Sequence, residues 1–190
     1  LGDVYKRQAQ PVWHDDADAL VAATKAPLFG IANEFFDALP AAQLVWRDGG
    51  WHHRMVGLAE DRIGFVEGDA AMDDPALPAE PEDGMVAELC PRADVVMGSL
   101  AASVARHGGA VLVIDYGRDG NPGDSMQAVA AHKPVDLFHD PGQSDLSHWV
   151  DFAALRRAAE SRGARLIGPV AQGRFLMRIG LAMRAEQAGA

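Results

Sequence analysis

The sequence predicts an α/β protein with a central sheet whose strands are mainly parallel. The stretches "PLFGIAN" (27–33) and "GAVLVIDYG" (109–117) are nearly continuous runs of small and branched apolar residues, which is typical of strands covered on both faces. Segments before the second strand and near the end of the chain have the apolar spacing of helices. Strands that alternate with helices pair in parallel and are covered by those helices.

The first half of the chain begins with a predicted short helix at 16–25, for which Asp16 is the expected N-cap. The first buried strand follows this helix. Residues 41–68 predict an antiparallel meander, because turn residues such as Asp48-Gly49-Gly50 separate its apolar runs. Residues 69–84 are acidic, rich in proline and aperiodic, so we expect a surface loop there.

The second half of the chain begins with a predicted helix at about 92–106, which Gly108-Gly109 would end. The second buried strand comes next, and residues 118–148 are a long insert rich in loop-forming residues. Residues 149–164 place an apolar face opposite arginine side chains, which predicts an amphipathic helix. The last stretch, 164–185, predicts a C-terminal antiparallel strand pair and then a helical tail.

The composition argues against several classes of protein. A formal net charge of −10 disfavours a nucleic-acid-binding protein that uses a basic surface, and it suits a protein with basic partners. The single cysteine, Cys90, excludes an intrachain disulfide and a cysteine metal cluster, and it favours a reducing compartment. No apolar run approaches the roughly 20 residues that cross a bilayer. Residues 1–10 lack the apolar core of a signal peptide, and we expect a non-native or disordered leader to one domain at 11–190.

Polar side chains follow both buried strands of the predicted sheet. Asn33 and Glu34 come at the end of the first strand, and Asp115 and Tyr116 come at the end of the second. Ligands bind beyond the carboxyl ends of the strands in such sheets. These four residues therefore mark a candidate binding site.

The segment "NEFFDALP" allows two interpretations. In the simpler one, polar residues cap a strand end while Phe35 and Phe36 fill the core, and the apolar periodicity alone favours it. In the functional one, Glu34 and Asp37 together hold a cation, and a guanidinium is the cation that two carboxylates match best. Asn33 would then orient a cofactor or an amine through its side-chain carbonyl.

Two patterns near the second strand give weaker signals. Glycines recur at 117, 120 and 123, but Asp124 and its neighbours interrupt what would be a dinucleotide-binding turn, so phosphate binding is not predicted. The GDS block that ends at Ser125, and the D-x-x-H block that ends at His148, resemble those of a lipase-like serine hydrolase. Such hydrolases separate the two blocks by far more than the roughly twenty residues found here, so this stays a minor alternative. No histidine spacing predicts a metal site.

Several blocks of the sequence match one family in the same order. They are "IANEFFDALP", "VWRDGGWHHRMVGL", "GGAVLVIDYG", "GDSMQAVAAHKPVD", "PGQSDLSHWVDFAAL" and "GPVAQGRFLMRIGLAMRA". In this combination the chain closely resembles, from about Val12 to Arg184, the MidA-type family of S-adenosylmethionine-dependent methyltransferases. The family includes the mitochondrial protein-arginine methyltransferase of respiratory complex I.

The resemblance implies a class I methyltransferase fold, with a Rossmann-like sheet and a terminal antiparallel hairpin. The predicted meander and insert would be family-specific insertions, at about 41–84 and 118–148. In the family a glycine-rich cofactor loop follows the first strand, and no such loop precedes Val12 here. The resemblance therefore implies a C-terminal portion of the domain, truncated at its N-terminus before the strand "VWHDD". We expect weak or no cofactor binding by this portion alone.

The activity that the resemblance implies is methyl transfer from S-adenosylmethionine to a protein arginine, for example in a respiratory complex I subunit. The location would be a bacterial cytoplasm or a mitochondrial matrix. Glu34 and Asp37 would hold the guanidinium. Asn33 would lie between cofactor and substrate, and Asp15 would reach the adenine. The other expected substrate-binding residues are Phe35, Phe36, Asp115, Tyr116, Asp124, Gln127, His132 and Asp151.

The main alternative to a methyltransferase is a non-catalytic assembly or binding module of the respiratory-complex type. In that case the acidic loop at 69–83 and the net charge of −10 would serve a basic partner.

Overall fold

The computed structural model describes residues 11–59, 61–71 and 73–189, and the predicted leader at 1–10 lies outside them. The described residues of the first half form one helix and five strands: α1 (Ala17–Ala23), β1 (Leu28–Asn33), β2 (Ala42–Arg47), β3 (Gly50–Ala59), β4 (Arg62–Ala70) and β5 (Val86–Leu89). The second half contains, in chain order, α2 (Pro91–His107), β6 (Gly109–Ile114), β7 (Gly117–Arg118), β8 (Gln127–Ala130), β9 (Lys133–Val135), β10 (Asp145–Ser147), β11 (Val150–Asp151), α3 (Phe152–Glu160), α4 (Gln172–Arg178) and α5 (Leu181–Ala188). None of these helices has the length and apolar character that crossing a membrane requires.

β1 and β6 form the parallel sheet that the two apolar runs predict. Their register runs from Leu28 opposite Gly109 to Asn33 opposite Ile114. One face of this sheet packs against α2, in a core that also contains the fully buried Phe36. The α/β class and the parallel centre are therefore confirmed.

The opposite face of β1 presents apolar side chains to solvent. Phe29 and Ile31 are 80% and 75% exposed, whereas Leu28 and Ala32 pack on the α2 side. Strands of parallel sheets are normally buried on both faces. The apolar side chains on one face of β1 are thus covered by α2, whereas no described residue covers those on the other face.

The junction between α2 and β6 depends on two glycines, as predicted. Gly108 has a φ of 80° and donates its N–H to Val104 O at 2.8 Å, which ends the helix. Gly109 has a φ of 111°, and a Cβ at this position would collide with the backbone of Leu28. Only glycine therefore lets β6 start directly beside β1.

The predicted meander at 41–68 is confirmed and belongs to a four-stranded antiparallel sheet in the order β4-β3-β2-β5. Asp48 and Gly49 make the tight turn between β2 and β3 with positive φ values of 51° and 77°. The small core of this sheet contains the buried Leu44 and Trp51. β5 lies beyond the predicted meander in sequence and joins it by pairing with β2.

The insert contains short strands as well as loops. β8 pairs with β9 and β10 in a three-stranded antiparallel sheet, and β7 pairs in parallel with β11. Val150 donates its N–H to Tyr116 O at 2.8 Å, so the end of the insert returns beside the end of β6. Asp151 then caps α3, because its carboxylate accepts from the N–H groups of Ala153 and Ala154. The predicted amphipathic helix is confirmed over Phe152–Glu160.

The predicted C-terminal antiparallel strand pair is wrong. The segment forms α4 and α5, and no strand among the described residues pairs with 164–185. A strand needs a partner for its backbone N–H and C=O groups, whereas a helix satisfies most of them within the segment. Leucine, methionine, glutamine and arginine favour helices, and periodicity alone cannot assign a short apolar run. The predicted helical tail is confirmed in α5.

Candidate functional site

The polar ends of β1 and β6 lie side by side at one edge of the parallel sheet. Asn33 and Ile114 are the last paired residues, and Glu34 donates its N–H to Ile114 O at 2.8 Å. Asp115 and Tyr116 follow directly on β6. The two groups of polar residues therefore form one cluster where sheets of this class bind ligands.

The turn after β1 has an unusual backbone at Glu34. Its φ is 45°, a left-handed conformation that is uncommon for residues other than glycine and that often occurs at functional sites. The next two side chains diverge. Phe36 is fully buried and packs with the α2 core, while Phe35 is 40% exposed and meets the Phe36 ring edge-on at 5.2 Å. The buried ring thus anchors the turn while Glu34 stays exposed.

The Asp115 carboxylate is bound by the backbone of this turn. Its Oδ2 accepts from the N–H groups of Phe35, Phe36 and Asp37 at 3.3, 3.0 and 3.3 Å, and its Oδ1 accepts from the N–H of Tyr116 at 2.9 Å. Burial raises the pKa of Asp115, and these four donors oppose that effect. Asp115 therefore ties the end of β6 to the turn that follows β1.

Glu34 and Tyr116 interact at the solvent side of the cluster. The Tyr116 hydroxyl donates to Glu34 Oε1 at 3.3 Å, and both side chains are exposed. The negative charge of Glu34 raises the pKa of Tyr116. Together with Asp115, these two residues line a groove of about 1000 Å³, whose other lining residues are mainly apolar residues of β6, α2 and α4.

The side chain of Asp37, the last residue of the turn that binds Asp115, does not line this groove. It is only 8% exposed, and its Oδ1 is buried without a hydrogen-bond partner among the described residues. Burial raises the pKa of Asp37, and the nearby charges of Asp115 and Glu34 raise it further. A buried carboxylate oxygen without a partner is costly, so it is a feature that calls for a functional or structural cause.

His148 is a buried residue that packs beside Leu39, just beyond the turn. It is 5% exposed, with Nε2 3.0 Å from Leu39 O and Nδ1 3.1 Å from Trp149 O. A neutral imidazole has one N–H, so it can satisfy only one of these two carbonyls, whereas the imidazolium satisfies both. Burial lowers the pKa of His148, but its bonds with Cys90 and the Trp149 carbonyl outweigh burial and raise it to about 9.

The raised pKa of His148 predicts a stability that depends on pH. Protonation in the folded state is favoured, so the contribution is present in full below about pH 6.5 and is lost as the pH rises through about 9. Replacing His148→Gln should remove a contribution on the order of 3 kcal/mol at low pH and little at high pH. Urea unfolding at about pH 6 and about pH 10 measures this difference. The exposed His139→Gln variant is the control, and an equal loss for His148→Gln at both pH values would contradict the prediction.

The structure does not form the serine hydrolase triad. Ser125 Oγ bonds to the Glu88 carboxylate and accepts from the N–H of Trp149 at 2.8 Å. Both ring nitrogens of His148 face backbone carbonyls instead of Ser125. The hydrolase alternative requires His148 as the base for Ser125, and His148 makes no hydrogen bond with Ser125, so this alternative is wrong.

Four other predicted substrate-binding residues, three in the insert and Asp151 just after it, are not among the residues that line the groove. Asp124 accepts from Arg54 at 2.9 Å and from Gln43 at 3.0 Å, so it joins the insert to the meander. Gln127 donates to Ser147 Oγ at 3.2 Å. The structure places His132 in the exposed turn between β8 and β9 and Asp151 at the start of α3, and none of the four lines the groove.

Asp15, the predicted adenine contact, lies in the extended segment just before α1. Its side chain is exposed, and it makes no hydrogen bond or ion pair among the described residues. The structure therefore does not bring Asp15 into contact with the cluster at Glu34. Its role stays a prediction.

Sequence reasoning missed the role of Glu88, a buried residue of β5. Its carboxylate accepts from the Gln43 side chain at 2.7 Å and from the N–H groups of Ser125 and Met126 at 3.1 and 3.0 Å. It thus fastens the start of the insert to the meander. A charged residue within the apolar run of a strand was the available signal, because such a residue is rarely buried unless it is paired.

Known proteins resemble the chain in sequence and in fold. The sequence pattern of the family described as "Putative S-adenosyl-L-methionine-dependent methyltransferase" matches residues 3–170. The mitochondrial protein arginine methyltransferase NDUFAF7 of rat is 37% identical over 161 residues, which is 83% of this chain and 37% of the rat protein. The human NDUFAF7 is 35% identical over 177 residues, which is 92% of this chain and 39% of the human protein. The chain thus spans about two-fifths of the length of these relatives.

A crystal structure of a Burkholderia thailandensis protein with bound S-adenosyl-homocysteine has a similar fold. Its TM-score to this chain is 0.71, with 22% sequence identity, and the match covers 87% of this chain and 46% of the other. At this level of identity the match establishes the fold of the chain.

Proposed function

This chain belongs to the family of S-adenosyl-L-methionine-dependent methyltransferases, and we propose that the protein carrying it transfers a methyl group to an arginine side chain of a protein. The observation that carries this proposal is the carboxylate cluster at the end of the parallel sheet, with Glu34 exposed and lining the groove. Asp37 and Asp115 add negative charge directly behind it. A cation that enters this position is favoured by all three carboxylates.

Arginine fits this cluster better than other acceptors. A guanidinium presents several N–H donors in one plane, and carboxylate oxygens are the acceptors that match it. Glu34 is the side chain that would receive these donors, while Tyr116 holds the Glu34 carboxylate from the other side. Fixing the guanidinium in this way orients one nitrogen toward the methyl group and keeps electron density on that nitrogen.

The transfer forms an N–C bond to the guanidinium while the S–C bond of the methyl donor breaks and its electron pair stays on the sulfur, and the guanidinium releases one proton. When it is bound, S-adenosylmethionine supplies a methyl group on a positively charged sulfur. Glu34, exposed and adjacent to the acceptor, is the group we assign to take the proton. Asp37 would act through its charge, because its Oδ1 is inaccessible behind the turn.

The cluster also fits the positively charged end of the cofactor. Asn33, the last residue of β1, would lie at the boundary between cofactor and substrate, and Asp15 would serve the adenine. Within residues 11–59, 61–71 and 73–189, no glycine-rich turn leads from a strand into a helix. In this proposal the described residues would supply the acceptor side through Glu34 and the boundary with the cofactor through Asn33.

The substrate of the complete protein would be another protein. The related NDUFAF7 proteins are named as mitochondrial protein arginine methyltransferases, which supports a protein substrate and a mitochondrial setting. The family resemblance of the sequence extends the proposal to a subunit of respiratory complex I as the target.

Binding of a guanidinium to this chain tests the acceptor side directly. In an NMR titration, ethylguanidinium should shift the signals of Glu34 and Tyr116, and the Glu34→Gln variant should lose most of this response. Ethylammonium has the same charge without the planar set of donors, so it should produce smaller shifts. Equal shifts with both cations, or no shift at Glu34, would contradict a guanidinium site.

A further inference from the structure

The Asp115 carboxylate accepts hydrogen bonds from the backbone of the turn that follows the neighbouring strand β1. Three consecutive backbone N–H groups, those of Phe35, Phe36 and Asp37, converge on its Oδ2 at 3.0 to 3.3 Å. These contacts bridge 78 to 80 positions in sequence. Successive N–H groups that point to one place form a concave site for an anion, and here the anion is a side chain of the neighbouring strand.

The same turn carries a residue that must be held in place. Glu34 has a φ of 45°, and such a backbone persists only when its surroundings fix it. Two constraints do so here. Glu34 N–H continues the ladder to Ile114 O at 2.8 Å, and the next three N–H groups are bound by Asp115. The direction of the Glu34 side chain thus depends on both strands.

We infer that Asp115 is a positioning residue that fixes the direction of the Glu34 carboxylate by binding the N–H groups of the turn that follows it. For the reaction itself this inference rests on the proposed function, in which Glu34 holds the acceptor. Asp115 does not need to touch the substrate for this role. Its two oxygens already accept four backbone N–H groups.

A charged acceptor suits this role better than a neutral one. Hydrogen bonds to a carboxylate are stronger than those to a neutral oxygen. An asparagine at this position has one oxygen that accepts and one NH₂ group that cannot. If the oxygen accepts from the turn, the NH₂ group faces the N–H of Tyr116; if the oxygen accepts from Tyr116, the NH₂ group faces the N–H groups of the turn. Asp115→Asn therefore nearly keeps the volume of the side chain but removes the hydrogen bonds to one of its two oxygens.

Amide hydrogen exchange of this chain tests the structural part of the inference. In Asp115→Asn, the N–H groups of Phe36 and Asp37 should exchange at least about 10-fold faster, while those of α2 keep their protection. Asp119→Asn is the matched control, because Asp119 lies close in sequence but pairs with Arg156 at 2.8 Å. Unchanged exchange at Phe36 and Asp37 in Asp115→Asn would overturn the inference.

A double-mutant cycle in the protein that carries this chain tests the catalytic part. Asp115→Asn should lower kcat/KM for an arginine peptide by about 100-fold, as expected for a misplaced catalytic group. In a Glu34→Gln background the same change should cost less than about 3-fold, because the group that it positions is already gone. Equal costs in both backgrounds would show that Asp115 acts independently of Glu34 and would overturn the inference.

The two possible failures can be told apart. If Glu34→Gln alone leaves kcat/KM unchanged while Asp115→Asn lowers it, the proposed role of Glu34 fails, and with it the route by which Asp115 would act. If Glu34→Gln lowers kcat/KM and Asp115→Asn does not, the proposed function stands and the positioning inference fails.

Discussion

Replacing Glu34→Gln lowers methyl transfer to an arginine-containing substrate by about 100- to 1000-fold, the size expected when a preorganised charge is removed from an active site. Glutamine has the same length and can still accept from the Tyr116 hydroxyl, so the groove keeps its shape. It loses the negative charge that attracts the guanidinium and the group that takes its proton. We expect a raised KM for the arginine substrate together with a lower kcat.

Initial rates of transfer from S-adenosylmethionine carrying a labelled methyl group measure this loss in the protein that carries the chain. Glu80→Gln is the matched control, because Glu80 is exposed in the acidic loop and its replacement removes the same formal charge. A Glu34→Gln protein that keeps its rate within about 3-fold would show that Glu34 does not act on the acceptor.

Replacing Asp37→Asn makes the fold more stable at neutral pH while it slows methyl transfer. The Asp37 Oδ1 is buried without a partner among the described residues, and burial, Asp115 and Glu34 all raise the pKa of this carboxyl. A raised pKa means that ionisation of Asp37 destabilises the folded state, so stability is lost as the pH rises from 3.8 through the folded-state pKa. Asparagine does not ionise, and we expect a gain of about 1 kcal/mol at neutral pH.

Denaturant unfolding of the chain measures this gain, and Asp115→Asn supplies a control of the same chemistry. The Asp115 carboxylate accepts four backbone N–H groups, so its replacement should cost about 1 to 2 kcal/mol where Asp37→Asn gains. Transfer by Asp37→Asn should fall by about 10-fold, since the cluster then holds less negative charge. A stabilised variant with full activity would show that Asp37 has no part in the reaction. A destabilised variant would show that neighbouring groups stabilise the ionised Asp37 carboxylate in the folded state.

Local patterns in the sequence are sufficient for the parts of the fold that form locally. The apolar runs of β1 and β6, the Asp48-Gly49 turn and the Asp16 cap each depend on residues close in sequence, and each is confirmed. Whether a short apolar run becomes strand or helix depends on whether an edge strand is available to pair with it. The chain at 172–188 lacks such a partner among the described residues, and it is helical.

The arrangement of the site required knowledge of distant contacts. The polar ends of the two strands predict where the cluster lies. They do not predict that Asp115 turns back to the amides of the β1 turn or that Asp37 is buried, because both depend on residues about 80 positions apart. Asp124 and Asp151 likewise bond to Arg54 and to the start of α3, and their predicted substrate contacts stay predictions. Spacing along the chain carries no information about these partners.

The identity of the methylated residue tests the account most directly. The protein that carries this chain is incubated with labelled S-adenosylmethionine and with synthetic peptides that each contain one arginine, beside matched peptides with lysine at that position. Mass spectrometry then locates the methyl group. We expect methylation on the arginine side chain, none on the lysine peptides, and a loss of product with Glu34→Gln. Methylation of the lysine peptides, or arginine methylation that Glu34→Gln leaves intact, would contradict it.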